Sequence, residues 1–121
     1  MEGNVDAGRL GENITESYLK LVGYEVLRRN FRFGHLEIDI VARKDRCVAF
    51  IEVKTRRNRH YGSAVEAVDR GKIQNIRLAA EFFLASYAGI LAADEYRIDL
   101  VALDVDDGAG FMKLRHLRGI A

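Results

Sequence analysis

Residues 34–60 read GHLEIDIVARKDRCVAFIEVKTRRNRH. "LEIDIVA" alternates strictly, with Leu36, Ile38, Ile40 and Ala42 on one face and Glu37, Asp39 and Val41 on the other. "RCVAFIEVK" alternates as well, setting Cys47, Ala49, Ile51 and Val53 opposite Val48, Phe50, Glu52 and Lys54. Two such runs around "KDR" predict a hairpin with a tight turn. Its anomaly is charge: carboxylates seldom lie in apolar strands unless something positive holds them there. If Arg43 faces Arg46, Glu37 faces Glu52 and Asp39 faces Phe50. Asp39 and Glu52 are then diagonal neighbours, roughly 7–8 Å apart. A slip of two residues sets Asp39 directly opposite Glu52 with the same facing. Either register gathers Glu37, Asp39, Glu52 and Lys54 on one patch.

Working outward, residues 6–22 read as a helix whose apolar stripe is Leu10, Ile14, Tyr18 and Leu21, closed by Gly23 as a C-cap. Glu12 lies at the margin of that stripe, facing a cleft edge. "YEVLRRNFRF" reads as a strand ahead of the hairpin. Beyond it, "GSAVEAV" is a short element of either type, since Ser63 and Glu66 fit a capping box while Val65 and Val68 suit an extended turn. Asp69 is a plausible N-cap for a long helix reaching about Tyr87, with Ile73, Ile76, Ala80, Phe83 and Leu84 as its core stripe. "YRIDLVALDV" and "GFMKLRHL" are two more strands, joined by "DDGAG". The order α-β-β-β-α-β-β predicts an α/β fold with a mixed five-stranded sheet flanked by helices, one domain over residues 1–121.

No apolar run is long enough to span a bilayer and "MEGNVDAGRLGEN" has no signal-peptide core, so a cytoplasmic location without a membrane partner is expected. The single cysteine, Cys47, sits mid-strand among apolar neighbours and reads as a small hydrophobe. His35 and His116 have no partner at metal-ligand spacing, so zinc is not expected. The net charge of +1 hides an asymmetry. Residues 20–59 hold eleven Lys/Arg against five Asp/Glu, and the rest of the chain eight against thirteen. A basic surface with an acidic centre suits a polyanion, nucleic acid above all, while a solvated charged face is the plainer reading.

Carboxylates that share a patch of sheet repel one another unless compensated. Mg²⁺ or Mn²⁺ compensates them well: a hard cation takes one or two carboxylates and completes its shell with waters, carbonyls and phosphate oxygens. Asp39, Glu52 and Lys54 form a kit sufficient for phosphodiester hydrolysis, with the arginine-rich run after it as phosphate grip. On residues alone, an ion pair between Lys54 and Glu52 or Glu37 fits equally well.

Asp39 with "EVK" (Glu52 to Lys54) resembles the signature of the PD-(D/E)XK nuclease superfamily. The wider pattern resembles one branch of it, the YraN family of bacterial proteins described as Holliday-junction-resolvase-like or endonuclease-like. The segments concerned are "GRLGEN", "GYEVLRRNFR", "EIDIVA", "FIEVKTR", "YGSAVEAV", a helix opening on Lys72, and "YRIDLVAL". Leu36 stands where that family's pattern carries Gly. The resemblance implies a restriction-endonuclease-like core, with Asp39 and Glu52 as metal ligands and the Val53 carbonyl as a third. It implies Lys54 as the water-orienting or charge-balancing lysine and Glu12 as the helix carboxylate that completes the site. Glu37 is implied as a second-metal ligand or a structural residue. Arg56, Arg57, Arg59 and Lys72 are the candidate nucleic-acid contacts, and His60 and Tyr61 lie beside them. A homodimer belongs to the same expectation, since resolvases of this fold cut symmetric strands with two sites.

Three functions fit these residues. One is a metal-dependent endonuclease, with DNA favoured and branched DNA among its substrates. The second is a nucleic-acid-binding protein that keeps the nuclease fold without its chemistry. The third is a structural or partner-binding domain whose carboxylates are closed in ion pairs.

Overall fold

The computed structural model describes residues 4–58, 70–91 and 93–121. Helix α1 (Asn4–Leu21) is followed by strands β1 (Glu25–Phe33), β2 (Leu36–Lys44) and β3 (Cys47–Arg57), helix α2 (Arg70–Leu91), and strands β4 (Glu95–Asp106) and β5 (Phe111–Leu117). The five strands form one mixed sheet in sequence order. Pairing is antiparallel except between β3 and β4, which α2 joins in parallel. The expected order of elements and fold class are thus observed. The capping box at Ser63 and Glu66, the N-cap at Asp69, and Arg59, His60 and Tyr61 lie outside the described residues.

The helices cover opposite faces. On one, Ile76, Ala79, Ala80 and Phe83 of α2 bury Phe31, Leu36, Ile38, Val41, Val48 and Phe50. Phe83 meets Phe50 edge-on with centroids 5.7 Å apart, and each side chain so buried contributes about 1.5–3 kcal/mol. On the other face, Leu19 of α1 packs with Tyr24, Ile40, Ala42, Ala49, Ile51 and Val101.

The cap on α1 forms as the sequence predicts. Gly23 takes φ +101°, Tyr24 N–H donates to the Leu19 carbonyl and Gly23 N–H to that of Lys20, a Schellman pair. The face that α1 buries agrees with the predicted stripe only at Ile14 and Tyr18, which are half-buried. Leu10 is 49% exposed and Leu21 85%, whereas Gly11, Thr15 and Leu19 are buried. The helix lies too close to the sheet for a side chain at position 11: a Cβ there would stand 2.1 Å from Thr55 Oγ1 and 3.2 Å from Leu103 Cδ1. Small residues therefore define this contact, and apolar periodicity does not report it. Gly11→Ala is expected to cost about 2 kcal/mol through overpacking. Adding Thr55→Ala should recover most of that loss, because Thr55 Oγ1 is buried without a hydrogen-bond partner among the described residues. Urea unfolding of both variants checks this, and additive losses would refute the contact.

The hairpin register also differs from the first expectation. Lys44 pairs with Cys47 and Ile40 with Ile51, so the turn is Asp45–Arg46 and the ladder is slipped by two residues. Asp45 holds φ +55°, a conformation that Asp tolerates and Lys does so less readily. The β2–β3 ladder ends at Ile40 and Ile51. Carried one step further in the same register, Ile38 would receive the Val53 N–H. Instead Asp39 Oδ2 accepts it at 2.8 Å. The alternation of β2 breaks at the same point, since Leu36 and Ile38 pack on the α2 side but Ile40 and Ala42 on the α1 side. Strand β1 turns over beside it. Asn30 has φ +52°, Arg29 reaches α1, and Phe31 packs on Phe82 and Phe83 of α2. The sheet opens between β2 and β3, and Asp39 lies at the opening.

Candidate metal and nucleic-acid site

Asp39 and Glu52 meet where β2 leaves β3. Asp39 is 8% exposed and Glu52 2%. Two carboxyl groups so deep in a sheet are costly. Burial pushes the Asp39 carboxyl up, the neighbouring Glu52 charge pushes it further, and the Val53 N–H only partly offsets them, bringing it to about 8. Glu12 adds a smaller push in the same direction. A proton on Asp39 is therefore what lets the pair coexist.

Two lysines approach Glu52 Oε2, Lys54 Nζ at 3.5 Å and Lys72 Nζ at 3.7 Å. Lys54 comes two residues along the same strand, and Lys72 from the first turn of α2. That turn holds Arg70 and Lys72 and no acid, so Glu52 supplies the negative charge that a helix N-terminus favours. Glu52 Oε1 is buried and has no hydrogen-bond partner among the described residues. The Val53 amide faces the opening; in a strand the carbonyl of the same residue points the same way, so the Val53 carbonyl faces it too.

Glu12 and Glu37 sit to one side, in a cleft of about 490 Å³ with Arg9, Asn13, Arg29, Asn30 and Arg32 among its lining residues. Glu12 Oε1 is held by Arg29 Nη2 at 3.2 Å and Asn30 Nδ2 at 3.1 Å. Glu37 pairs with Arg32 at 3.1 Å. The structure thus brings Asp39, Glu52, Lys54 and Lys72 together and sets Glu37 apart, because the break in β2 alternation turns it toward the α1 side. Among the described residues, no three His, Cys, Asp or Glu side chains converge on one metal position.

A divalent ion nonetheless fits the donors present. Glu52 Oε1, without a hydrogen-bond partner among the described residues, and the burial that raises the Asp39 carboxyl are what an ion would relieve. Two carboxylates and a backbone carbonyl leave positions for water and phosphate oxygens, the usual arrangement for Mg²⁺.

The basic run beyond Lys54 is partly engaged. Arg57 Nε pairs with Asp107 at 3.2 Å, while Arg56 Nε is buried without a hydrogen-bond partner among the described residues. On the α1 side of the sheet, paired with Ile51 on β3, Asp99 accepts from Arg97, His116 and the Gly119 N–H. Burial alone would push Asp99 up, but these bonds outweigh it and hold the carboxyl below its usual range. His116 also bonds the Tyr18 hydroxyl at 2.7 Å. The expected Arg97–Asp99 pair is thereby part of a buried staple joining α1, β4 and β5.

The model of the uncharacterised protein family UPF0102 matches residues 11–103. The chain belongs to the UPF0102 family. Its UPF0102 relatives include a protein of Chloroherpeton thalassium, 42% identical over 107 residues that cover 88% of this chain and 81% of the relative. One of Syntrophomonas wolfei is 39% identical over 114 residues, covering 94% and 96%. One of Mycolicibacterium vanbaalenii is 36% identical over 120 residues, covering 99% and 97%. The span matched to UPF0102 contains Glu12, Arg29, Asn30, Glu37, Asp39, Glu52, Lys54 and Lys72. Arg29 and Asn30 are the members of the site that the sequence reading missed. Their signal was an Asn, poor in strands and tolerant of positive φ, set between arginines in "RRNFR".

Proposed function

We propose that this UPF0102 protein is a metal-dependent endonuclease that hydrolyses phosphodiester bonds of nucleic acid, with DNA, branched DNA included, as its substrate. The observation that carries the reading is the buried Asp39–Glu52 pair with its open Glu52 oxygen, flanked by two lysines. Such a pair is expensive to keep, since two carboxyl groups are held out of water beside one another. The resemblance to the PD-(D/E)XK superfamily supports the same reading.

Asp39, Glu52 and the Val53 carbonyl would hold Mg²⁺ or Mn²⁺. When bound, the ion supplies Lewis acidity, activating water and stabilising charge on the phosphate oxygens. Lys54, beside Glu52, orients the attacking water and offsets charge as it develops on the phosphate. Lys72 presents a second cation to the same phosphate from the start of α2. Arg56, Arg57 and Arg59 grip the flanking backbone, so binding weakens as salt rises.

The test is incubation of the purified protein with linear, flapped and four-way DNA, with Mg²⁺ or Mn²⁺ and with chelator. Cleavage that requires metal is expected. Salt-sensitive binding without cleavage of any substrate would favour the non-catalytic nucleic-acid-binding alternative. Separately, Lys72→Met should lower the slope of log affinity against log salt by about one. Fluorescence anisotropy across a salt series measures that slope, and an unchanged value would remove Lys72 from the interface.

A further inference from the structure

Glu12 is gripped from outside the Asp39–Glu52 pair, and the grip has an unusual origin. Both donors, Arg29 Nη2 and Asn30 Nδ2, come from adjacent residues of β1. In a regular strand neighbouring side chains point to opposite faces, so the two would not reach the same carboxylate. They do so because Asn30 adopts φ +52°. One left-handed residue turns the strand over, and Asn is among the few residues that take this conformation at small cost. Arg29 is fixed in turn, donating to Asn13 Oδ1 at 2.7 Å and Glu16 Oε1 at 3.0 Å, while Glu16 also pairs with Lys20 at 2.9 Å. The chain from Lys20 to Glu16 to Arg29 to Glu12 runs along one side of α1 and ends at the cleft. That end of the cleft is level with Asp39, since Arg29 pairs with Ile40 and Phe31 with Ile38 on either side of Asn30.

We propose that Arg29 and Asn30 are positioning residues that hold Glu12 at the mouth of the cleft beside Asp39, and that the left-handed turn at Asn30 is what makes the grip possible. The proposal rests on the endonuclease reading and adds to it a role for "RRN". Stability alone does not account for the arrangement. Part-exposed ion pairs of this kind contribute little, and α1 is already seated on the sheet by Gly11 and Leu19. A three-acceptor anchor for one arginine has its use in fixing where the Glu12 carboxylate lies relative to the reacting phosphate.

The test is a double-variant cycle in DNA cleavage with wild type, Asn30→Gly, Glu12→Ala and the two combined. Gly keeps positive φ available and removes only the amide. Asn30→Gly is expected to lower kcat about tenfold with KM nearly unchanged, since it misplaces a group acting on the reaction and leaves DNA contacts alone. Because Asn30 acts through Glu12, the double variant should cut no more slowly than Glu12→Ala. Arg29→Lys, which keeps the charge but loses the fork, should fall between wild type and Arg29→Met. Losses that multiply in the double variant, or a change confined to KM, would overturn the proposal. A readout independent of cleavage is the side-chain amide resonance of Asn30, which should move in Glu12→Ala. No movement refutes the grip itself. Wild-type protein that cuts no DNA would sink the endonuclease reading and the positioning role with it, while the amide shift still reports whether the grip forms.

Discussion

Replacing Glu52 by Gln is expected to leave the chain folded and to lower metal-dependent cleavage at least about a thousandfold. Gln matches Glu in size, so the buried site stays filled, yet it gives up the charge that faces Lys54 at 3.5 Å and Lys72 at 3.7 Å. Changes in the groups that merely orient a ligand already cost about 10–100-fold, and loss of a ligand should exceed that. DNA affinity should hold or rise, since a negative charge is taken from a basic surface and both lysines are released toward phosphate. Cleavage rates compared with anisotropy on the same DNA separate the two effects. Activity within tenfold of wild type, with the same metal requirement, would mean that Glu52 is not a ligand.

The second large effect concerns stability without metal. Asp39 has its pKa raised to about 8 by burial and by Glu52, well above the roughly 3.9 of an unfolded Asp. Between those values the folded chain keeps a proton that the unfolded chain has lost. The folded state thus binds more protons, and stability falls as pH rises through this window. The contribution is fully present below about pH 4 and is gone above about pH 8. Asp39→Asn removes the titration while its amide oxygen can still accept from Val53 N–H. In chelator, the variant should therefore be more stable than wild type by about 3 kcal/mol at pH 9, and by little at pH 4. Urea unfolding at the two pH values measures the difference. A variant less stable than wild type at pH 9 would show that the two carboxyls do not repel.

How much of this was legible in the sequence depends on which residues carry the signal. The hairpin strands, the α2 stripe of Ile76, Ala80 and Phe83, and the convergence of Asp39, Glu52 and Lys54 follow from alternation and periodicity, and all are observed. Of the two registers that the sequence allows, the one slipped by two residues is observed; alternation does not choose between them, because the turn centre depends on the conformation of Asp45. The part of α1 that lies closest to the sheet is not legible in apolar periodicity, because close approach is written in Gly11 and Thr15. Strict alternation places Glu37 on the face of Asp39, yet β2 breaks stride at Asp39, where its side chain takes over the Val53 N–H. Such breaks concentrate where a chain departs from local rules for a functional reason. No described helix is long and apolar enough to cross a membrane.

Whether Asp39 and Glu52 form a divalent-cation site is decided by calorimetric titration of Mn²⁺ at pH 7. Wild type is predicted to bind about one ion per chain and to release close to one proton, read from buffers of different ionisation enthalpy, because Asp39 must give up its proton to coordinate. Asp39→Asn and Glu52→Gln are predicted to bind none in the same range. Failure of the wild type to bind, or binding left unchanged by both substitutions, would rule out a cation site at this pair.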